Sequence, residues 1–555
     1  MVADHGRGHV PLAVPLTLFR LGVRRHEVEH LASQIYLDPD PKELQLGITC
    51  EPSLRAGTAG SPGTPRRGRA RPGGRVPRAP DGRPGRVKQI RVDAWKEESM
   101  TTLTSVNPAT GEVLARTEEH SEAEVERRIS RAMEVFRLWR RRPIAERARL
   151  IGRAAEVLEA GKERYGKLMA QEMGKTLKSA IAEAEKCAWG CRYYAENGER
   201  FLADEDVKTE APRSYRRYLP LGPVLAVMPW NFPFWQVFRF AAPAVVAGNV
   251  GLLKHASNVH RCALAIEEVF RLAGFPEGVF QVLLVGSGRV EKLVEDPRVT
   301  AVTLTGSEAA GASVAAAAGR ALKKTVLELG GSDAFVVLPS ADLGQAVQTA
   351  VAARIVNNGE SCIAAKRFIV HEAVYDAFVQ GMVERMRALK VGDPMDPATD
   401  VGPLASAADR AQLADQVDRL VRDGARPLTG GKPLDGPGAF FAPTVLVDVP
   451  RVSATYREEL FGPVALVLKV RDLDEAIQVA NELPFGLASS VWTADAGERA
   501  RLVDELEAGA TFVNAMVVSD PRLPFGGVKR SGHGRELSRE GIREFVNVKT
   551  VVVRG

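Results

Sequence analysis

The hydrophobic pattern of this 555-residue chain changes character several times. Over residues 121–200 apolar residues recur every three or four positions among Ala, Glu, Arg and Leu. That spacing puts one apolar stripe on a helix, so consecutive amphipathic helices are predicted there. From Tyr218 the pattern shifts to short apolar runs bounded by Gly and Pro: PLGPVLAVMPW, NVGLLKH, GVFQVLLVG, VTAVTLTG, KTVLELGG and DAFVVLP. These read as buried strands, with helices such as CALAIEEVFRLAG and AAGASVAAAAGRALK between them. Strand–helix alternation implies a parallel α/β sheet. A second α/β stretch runs from Leu343 to about Gly509, with the helix AVYDAFVQGMVERMRALK and the strands TVLVDV and VALVLKV. The tail from Thr511 is punctuated by Gly and Pro and ends in the strand-like VKTVVVRG. Two α/β lobes imply a cleft, and cofactor sites in open α/β sheets lie at the carboxyl ends of strands.

The first hundred residues follow none of these patterns. From Glu51 to Arg91 the chain is largely Gly, Pro and Arg, too poor in large apolar residues to offset the entropy of ordering. Residues 12–36 hold an amphipathic stretch with helical potential, and MVADHGRGHV lacks the layout of a secretory signal. Met100 is followed by TTLTSVNPATGEV, which reads like the beginning of an enzyme. Residues 1–99 are therefore expected to be either disordered or a leader translated upstream of a start near Met100.

Composition is that of an ordinary globular protein, 45% apolar and 26% charged. The net charge of +6 resides in residues 1–99, with 17 Lys/Arg against 11 Asp/Glu; residues 100–555 hold 58 of each. A neutral body gives no field for polyanions, so no nucleic-acid partner is expected. No run of about 18 apolar residues lacks a charge, so neither is a membrane span. Five cysteines exclude a disulfide scaffold and suit a reducing, cytoplasmic compartment.

Cys50 falls in the leader, Cys262 begins an apolar helix, and Cys187 and Cys191 share a helix face without further ligands, so packing rather than a metal is expected of them. Cys362 differs: it ends the polar loop NNGESC before the strand-like AAKRFIV, where a thiol is open to react. Glu328 closes the strand KTVLELGG, a costly place for a carboxylate unless it is solvated, caps the next turn, or serves as a base of raised pKa. Asn231 stands between prolines and aromatics in MPWNFP, where it either closes its own turn or donates to an oxyanion. Lys254 ends NVGLLKH, within reach of a cofactor hydroxyl or phosphate, or else snorkels to the surface. Gly306 and Ser307 open a helix after VTAVTLT, where amides can face a phosphate. Gly286-Ser287-Gly288 lacks a third glycine and reads as a turn.

Taken in order, PWNFPFW (229–235), LLKHASN (252–258), TGSEAAG (305–311), LELGGSDA (327–334), NNGESC (357–362), EELFGPV (458–464) and LPFGGVKRSGHGRE (523–536) resemble the aldehyde dehydrogenase superfamily over about Val106 to Val553. Singly each motif is common; seven in one order carry the resemblance. It implies a Rossmann-like cofactor domain over 100–327, an α/β catalytic domain over 328–510, a C-terminal segment over 511–555 returning to the cofactor domain, and a small β oligomerisation extension. That extension would combine the segment near 212–222 with the last strand, in a homodimer or homotetramer. The resemblance makes Cys362 the nucleophile forming a thiohemiacetal and then a thioester. Asn231 and the Cys362 backbone N–H hold the oxyanion, and Glu328 activates the hydrolytic water. Glu459 and Phe461 position the nicotinamide ribose, Lys254 the adenosine ribose, Gly306 and Ser307 the pyrophosphate; Trp230 and Leu329 complete the cofactor site.

Members preferring NAD commonly carry Glu three residues after the lysine. Here that position is Ser257, which can hydrogen-bond a 2′-phosphate that a carboxylate would repel, so NADP is expected to be preferred and NAD accepted. WNFPFWQVFRFAAPAVVAGN resembles the succinate-semialdehyde dehydrogenase branch. Arg239, eight residues after Asn231, is expected to meet the substrate carboxylate, the alternative being an internal salt bridge. Ser519 matches a loop position that helps bind that carboxylate. A second arginine found in some members is replaced by Val356, and Ser361, Ile363 and Ala364 beside Cys362 leave no cysteine for a local redox switch. The expected reaction is oxidation of succinate semialdehyde to succinate. The alternatives are oxidation of glutarate semialdehyde or aliphatic aldehydes, and a catalytically idle nucleotide binder.

Overall fold

The structure, a computed structural model, describes residues 102–555. The expectations for residues 1–99, including the 12–36 helix, the Gly/Pro/Arg stretch, Cys50 and the leader, lie outside the described residues.

The strands β1 (Thr102–Val106) and β2 (Val113–Glu118) pair antiparallel across the NPATG turn. Asn107 accepts there from Ala109 N–H through its side chain at 3.0 Å and from Gly111 N–H through its carbonyl at 2.7 Å. Four helices follow: α1 (Glu122–Trp139), α2 (Ile144–Ala160), α3 (Lys162–Met173) and α4 (Leu177–Leu202). The α1 stripe Val125, Ile129, Ala132, Phe136 and Trp139 is buried, as its three-and-four spacing requires. Trp139 Nε1 donates to Val245 O at 3.1 Å, giving the buried indole its partner.

The chain then makes β3 (Glu205–Asp206), β4 (Arg213–Pro220), β5 (Pro223–Met228), α5 (Trp235–Ala247), β6 (Val250–His255), α6 (His260–Leu272), β7 (Phe280–Val282), β8 (Ala301–Thr305), α7 (Glu308–Arg320) and β9 (Lys324–Glu328). Residues 329–333 lead into β10 (Ala334–Val337), α8 (Leu343–Ile355), β11 (Arg367–His371), α9 (Glu372–Ala388), α10 (Ala407–Arg422), β12 (Arg426–Thr429), β13 (Thr444–Val447), β14 (Val464–Val470), α11 (Leu473–Asn481), β15 (Ser489–Trp492), α12 (Ala496–Glu505) and β16 (Thr511–Val513). The tail adds β17 (Gly532–His533), α13 (Ser538–Glu544) and β18 (Val546–Val553).

One six-stranded sheet has the order β17-β9-β8-β5-β6-β7, parallel except for β17. A seven-stranded sheet has the order β12-β13-β14-β11-β10-β15-β16, parallel except between β12 and β13. Every residue of β6 and β8 is buried, which is why these strands read as unbroken apolar runs. The predicted run GVFQVLLVG is strand only over Phe280–Val282. β18 pairs antiparallel with β4 and β4 with β3, so the last strand joins the 213–220 segment. Segment 329–333 passes from the end of the first sheet to the start of the second. The candidate site is built around it.

Candidate active site

After α8 the backbone turns through three successive left-handed residues, Asn357 (φ 56°), Asn358 (φ 59°) and Gly359 (φ 83°). Asparagine tolerates this region because its short amide can bond to nearby backbone. Asn358 Nδ2 donates to Gly174 O and Pro403 O, each at 3.0 Å, and its Oδ1 accepts from Gly402 N–H at 2.9 Å. Asn357 Nδ2 donates to Asn231 O at 2.8 Å and Glu360 O at 3.0 Å. The fully buried Arg354 donates to Gly359 O at 2.7 Å, and the fully buried Lys366 to Ser361 O at 2.8 Å and Cys362 O at 2.7 Å. The loop that presents Cys362 is thus tied on both sides. Cys362 is partly buried, and burial pushes its thiol up to about 12, opposed first by the Lys366 ammonium and then by the Arg239 guanidinium.

Asn231 does not close its own turn. Its Nδ2 donates to Glu360 O at 3.0 Å while its Oδ1 accepts from Gln236 Nε2 at 3.0 Å. The amide orientation is therefore set, with one further N–H to offer. The turn is held from beneath by Glu183, which accepts from the Phe234 and Trp235 amides at 2.9 Å each and is ion-paired with the buried Lys175. Lys175 also lies 4.1 Å from the Phe232 ring centroid.

Glu328 is 3% exposed, and neither carboxyl oxygen has a hydrogen-bond partner among the described residues. Burial raises its pKa far above the carboxylate range; Glu536 raises it further, while Arg239 and Arg535 oppose. Three residues on, Gly331 lies against the nucleophile loop: a Cβ there would stand 3.1 Å from Cys362 O. The end of β9 and the Cys362 loop are thereby in contact.

Arg239 requires a correction. It was expected to stand ready for a substrate anion, but its guanidinium is ion-paired with Glu536, both side chains being nearly inaccessible. It also covers the Phe525 ring at 4.6 Å and reaches Thr305 Oγ1 at 3.5 Å. The internal salt bridge weighed for this residue is what forms, because a buried guanidinium without a carboxylate is too costly. Ser519 is buried, accepting from Lys186 Nζ at 2.7 Å and Trp235 Nε1 at 3.1 Å.

The residues assigned to the cofactor follow the carboxyl ends of the first sheet. Lys254 is the penultimate residue of β6, buried, with no carboxylate within ion-pairing distance among the described residues; burial lowers its pKa and Glu119 opposes. Ser257 follows it in a short 3₁₀ turn. Ser307 caps α7, its hydroxyl accepting from Ala310 N–H at 3.3 Å, and nothing but Leu304 and Ala310 methyls approaches a Cβ at Gly306. Leu329 bonds through its N–H to Ser531 O at 2.9 Å and lies over Gly311. Trp230 meets Phe461 edge-on, centroids 5.8 Å apart. Glu459 bonds Lys366 at 2.9 Å. A buried ammonium without an ion-pair partner among the described residues, a helix N-terminus and a carboxylate held by Lys366 suit the ribose, phosphate and ribose of a dinucleotide in turn.

Sequence reading missed Gln236, Glu183, Lys175, Lys366, Glu536 and Lys186. Gln236 acts on Asn231, five residues before it, and the others have a partner remote in the chain; no local signal marks them.

The description "Aldehyde dehydrogenase family" belongs to the family model that matches residues 95–551. A protein of Mycolicibacterium paratuberculosis named succinate-semialdehyde dehydrogenase [NADP(+)] is 59% identical over 453 residues, covering 81% of this chain and 96% of that protein. A Synechocystis protein named probable succinate-semialdehyde dehydrogenase [NADP(+)] is 55% identical, covering 81% of this chain and 99% of that one. Among solved structures, succinic semialdehyde dehydrogenase from Streptococcus pyogenes, in complex with NADP+, is 36% identical with a TM-score of 0.80, covering 82% of this chain and all of that one.

Proposed function

This chain belongs to the aldehyde dehydrogenase family, and we propose that it oxidises succinate semialdehyde to succinate with NADP, NAD serving less well. One observation carries the reading: the nucleophile loop, the Asn231 amide and the end of the Glu328 strand are packed against one another beside the residues suited to a dinucleotide. Relatives 55–59% identical that are named for this substrate and cofactor support the specific choice.

Cys362 releases its proton to solvent, and its sulfur bonds to the aldehyde carbon as the carbonyl π pair moves onto oxygen. Asn231, oriented by Gln236, and the Cys362 N–H hold the resulting oxyanion. Lys254, Ser257, Gly306, Ser307, Glu459 and the Trp230–Phe461 pair hold the dinucleotide, which supplies the hydride acceptor. Glu328 then takes a proton from the water that attacks the thioester carbon, and the collapsing adduct returns the thiolate of Cys362 and releases the acid. The carboxyl group must be ionised for that step, so its raised pKa makes thioester hydrolysis speed up as pH rises. Ser257 leaves the ribose 2′ position free of a repelling carboxylate.

β18 exposes its outer edge and the side chains of Val548 and Val552, which favours a homo-oligomer sealed through this strand. Among the described residues no helix is long and apolar enough to cross a membrane. The free thiols of Cys187, Cys191, Cys262 and Cys362 favour the cytoplasm. The pairing of Arg239 with Glu536 favours a second reading, oxidation of uncharged aliphatic aldehydes. Comparing kcat/KM for succinate semialdehyde and butanal decides between them. A preference for the semialdehyde of about tenfold or more supports the first, since that ratio corresponds to about one charge-assisted hydrogen bond; equal or better use of butanal rejects it.

A further inference from the structure

Near the amino end of α5, three side chains meet that can only give hydrogen bonds or already accept all they can. Lys186 Nζ and Trp235 Nε1 both donate to Ser519 Oγ, at 2.7 and 3.1 Å. With both lone pairs of that oxygen engaged, the Ser519 O–H must itself donate, and among the described residues it meets no acceptor. Lys186 is partly buried, lies 4.8 Å from the Trp235 ring centroid, and has no carboxylate within ion-pairing distance among the described residues. The adjacent carboxylate, Asp520, is engaged by Arg522 at 2.6 Å. An ammonium against an indole face, an undirected hydroxyl and no ion-paired acid among the described residues form a cluster with donors in excess.

The cluster adjoins the catalytic machinery. Trp235 is followed in α5 by Gln236, which donates to Asn231 Oδ1 at 3.0 Å, and Arg239 lies one turn further along the same helix. Arg239 already has a carboxylate of this chain, Glu536, against its guanidinium. Burial lowers the Lys186 pKa to about 8, with Arg239 adding to the effect. Glu183 and Asp520 oppose that burial in part, and neither comes within ion-pairing distance of the ammonium.

We propose that Lys186, together with the Ser519 hydroxyl it holds, binds the carboxylate of the semialdehyde and so sets the preference for an acidic substrate. The inference rests on the reading that the substrate carries a carboxylate. The two ammonium protons not spent on Ser519 and the outward Ser519 proton supply three donors to two carboxylate oxygens. Trp235 fixes both partners: it donates to the serine and its face holds the ammonium.

Steady-state kinetics of the full-length wild type, Lys186→Met and Lys186→Arg with succinate semialdehyde and with butanal test this. Lys186→Met is expected to raise KM for the semialdehyde by roughly 10- to 100-fold, the worth of a charge-assisted hydrogen bond, while kcat/KM for butanal stays within about twofold. Lys186→Arg should restore part of the lost preference by keeping the charge. Butanal turnover also reports that the variants are folded. If Lys186→Met leaves the ratio of the two kcat/KM values within about twofold of wild type, the assignment of Lys186 is overturned, although the succinate semialdehyde reading stands so long as the wild type prefers the acid. If the wild type itself prefers butanal, that reading is what fails.

Discussion

The thiol of Cys362 is protonated at neutral pH in this arrangement, since burial has pushed it up to about 12, and the Lys366 ammonium is the largest influence pulling the other way. Lys366→Met should therefore raise the thiol pKa further, cutting the thiolate fraction about tenfold for each unit. Iodoacetamide alkylation measured at pH 8 should slow accordingly, and an unchanged rate would show that Lys366 has no hold on the thiolate. Glu328 has a different part: its unpartnered, buried carboxyl is assigned to hydrolysis of the thioester, after reduced cofactor has formed. Glu328→Gln should keep a rapid burst of reduced dinucleotide while steady-state turnover falls by roughly 10²–10⁴. Loss of the burst together with turnover would move Glu328 to an earlier step. At the cofactor, Ser257→Glu sets a carboxylate where a 2′-phosphate is to sit. The kcat/KM ratio of NADP to NAD should drop about tenfold or more, the scale of one lost charge-assisted hydrogen bond. The roles proposed for these three residues could be read from the sequence because their types and motif positions point to them. Lys366, Glu536 and Lys186 were not, because an ammonium or carboxylate in a polar stretch looks solvated until the packing shows that it is buried.

The element that matters most is the turn 356–359, whose successive left-handed residues redirect the chain from α8 into the nucleophile loop. At Gly359 the constraint is double: φ is +83°, and a Cβ would overlap the backbone of Gly462 and Pro463 in the EELFGPV segment. Gly359→Ala should destabilise the fold by roughly 1–3 kcal/mol or more, seen as a lower urea midpoint, with a larger proportional loss of activity because the loop is displaced. Wild-type stability with full activity would mean that the turn relaxes freely. The strands of both sheets were legible as apolar runs since parallel strands are covered on both faces. The short extent of the third strand in GVFQVLLVG was not, for Leu283, Leu284 and Val285 are buried by packing without full strand pairing.

Across the whole molecule, the C-terminal chain revisits each region: Ser519 reaches Lys186, Glu536 reaches Arg239, β17 extends the first sheet and β18 pairs with β4. The free edge of β18 carries the oligomer prediction. Val548→Lys combined with Val552→Lys should shift the species seen in sedimentation velocity towards the monomer, as lysines on an edge oppose strand addition. An unchanged sedimentation coefficient would place the interface elsewhere. Residue order alone determined the α/β class and the two groups of parallel strands, and it singled out the thiol, carboxyl and amide proposed for the chemistry, because period and motif are local properties of a chain. Which charges neutralise one another was decided by tertiary structure. Arg239 is bound to an acid almost 300 residues on, and among the described residues Lys186 is left without an ion-pair partner. Such pairings depend on where distant segments are brought together and how little water remains between them, and neither quantity is written in any single stretch of sequence.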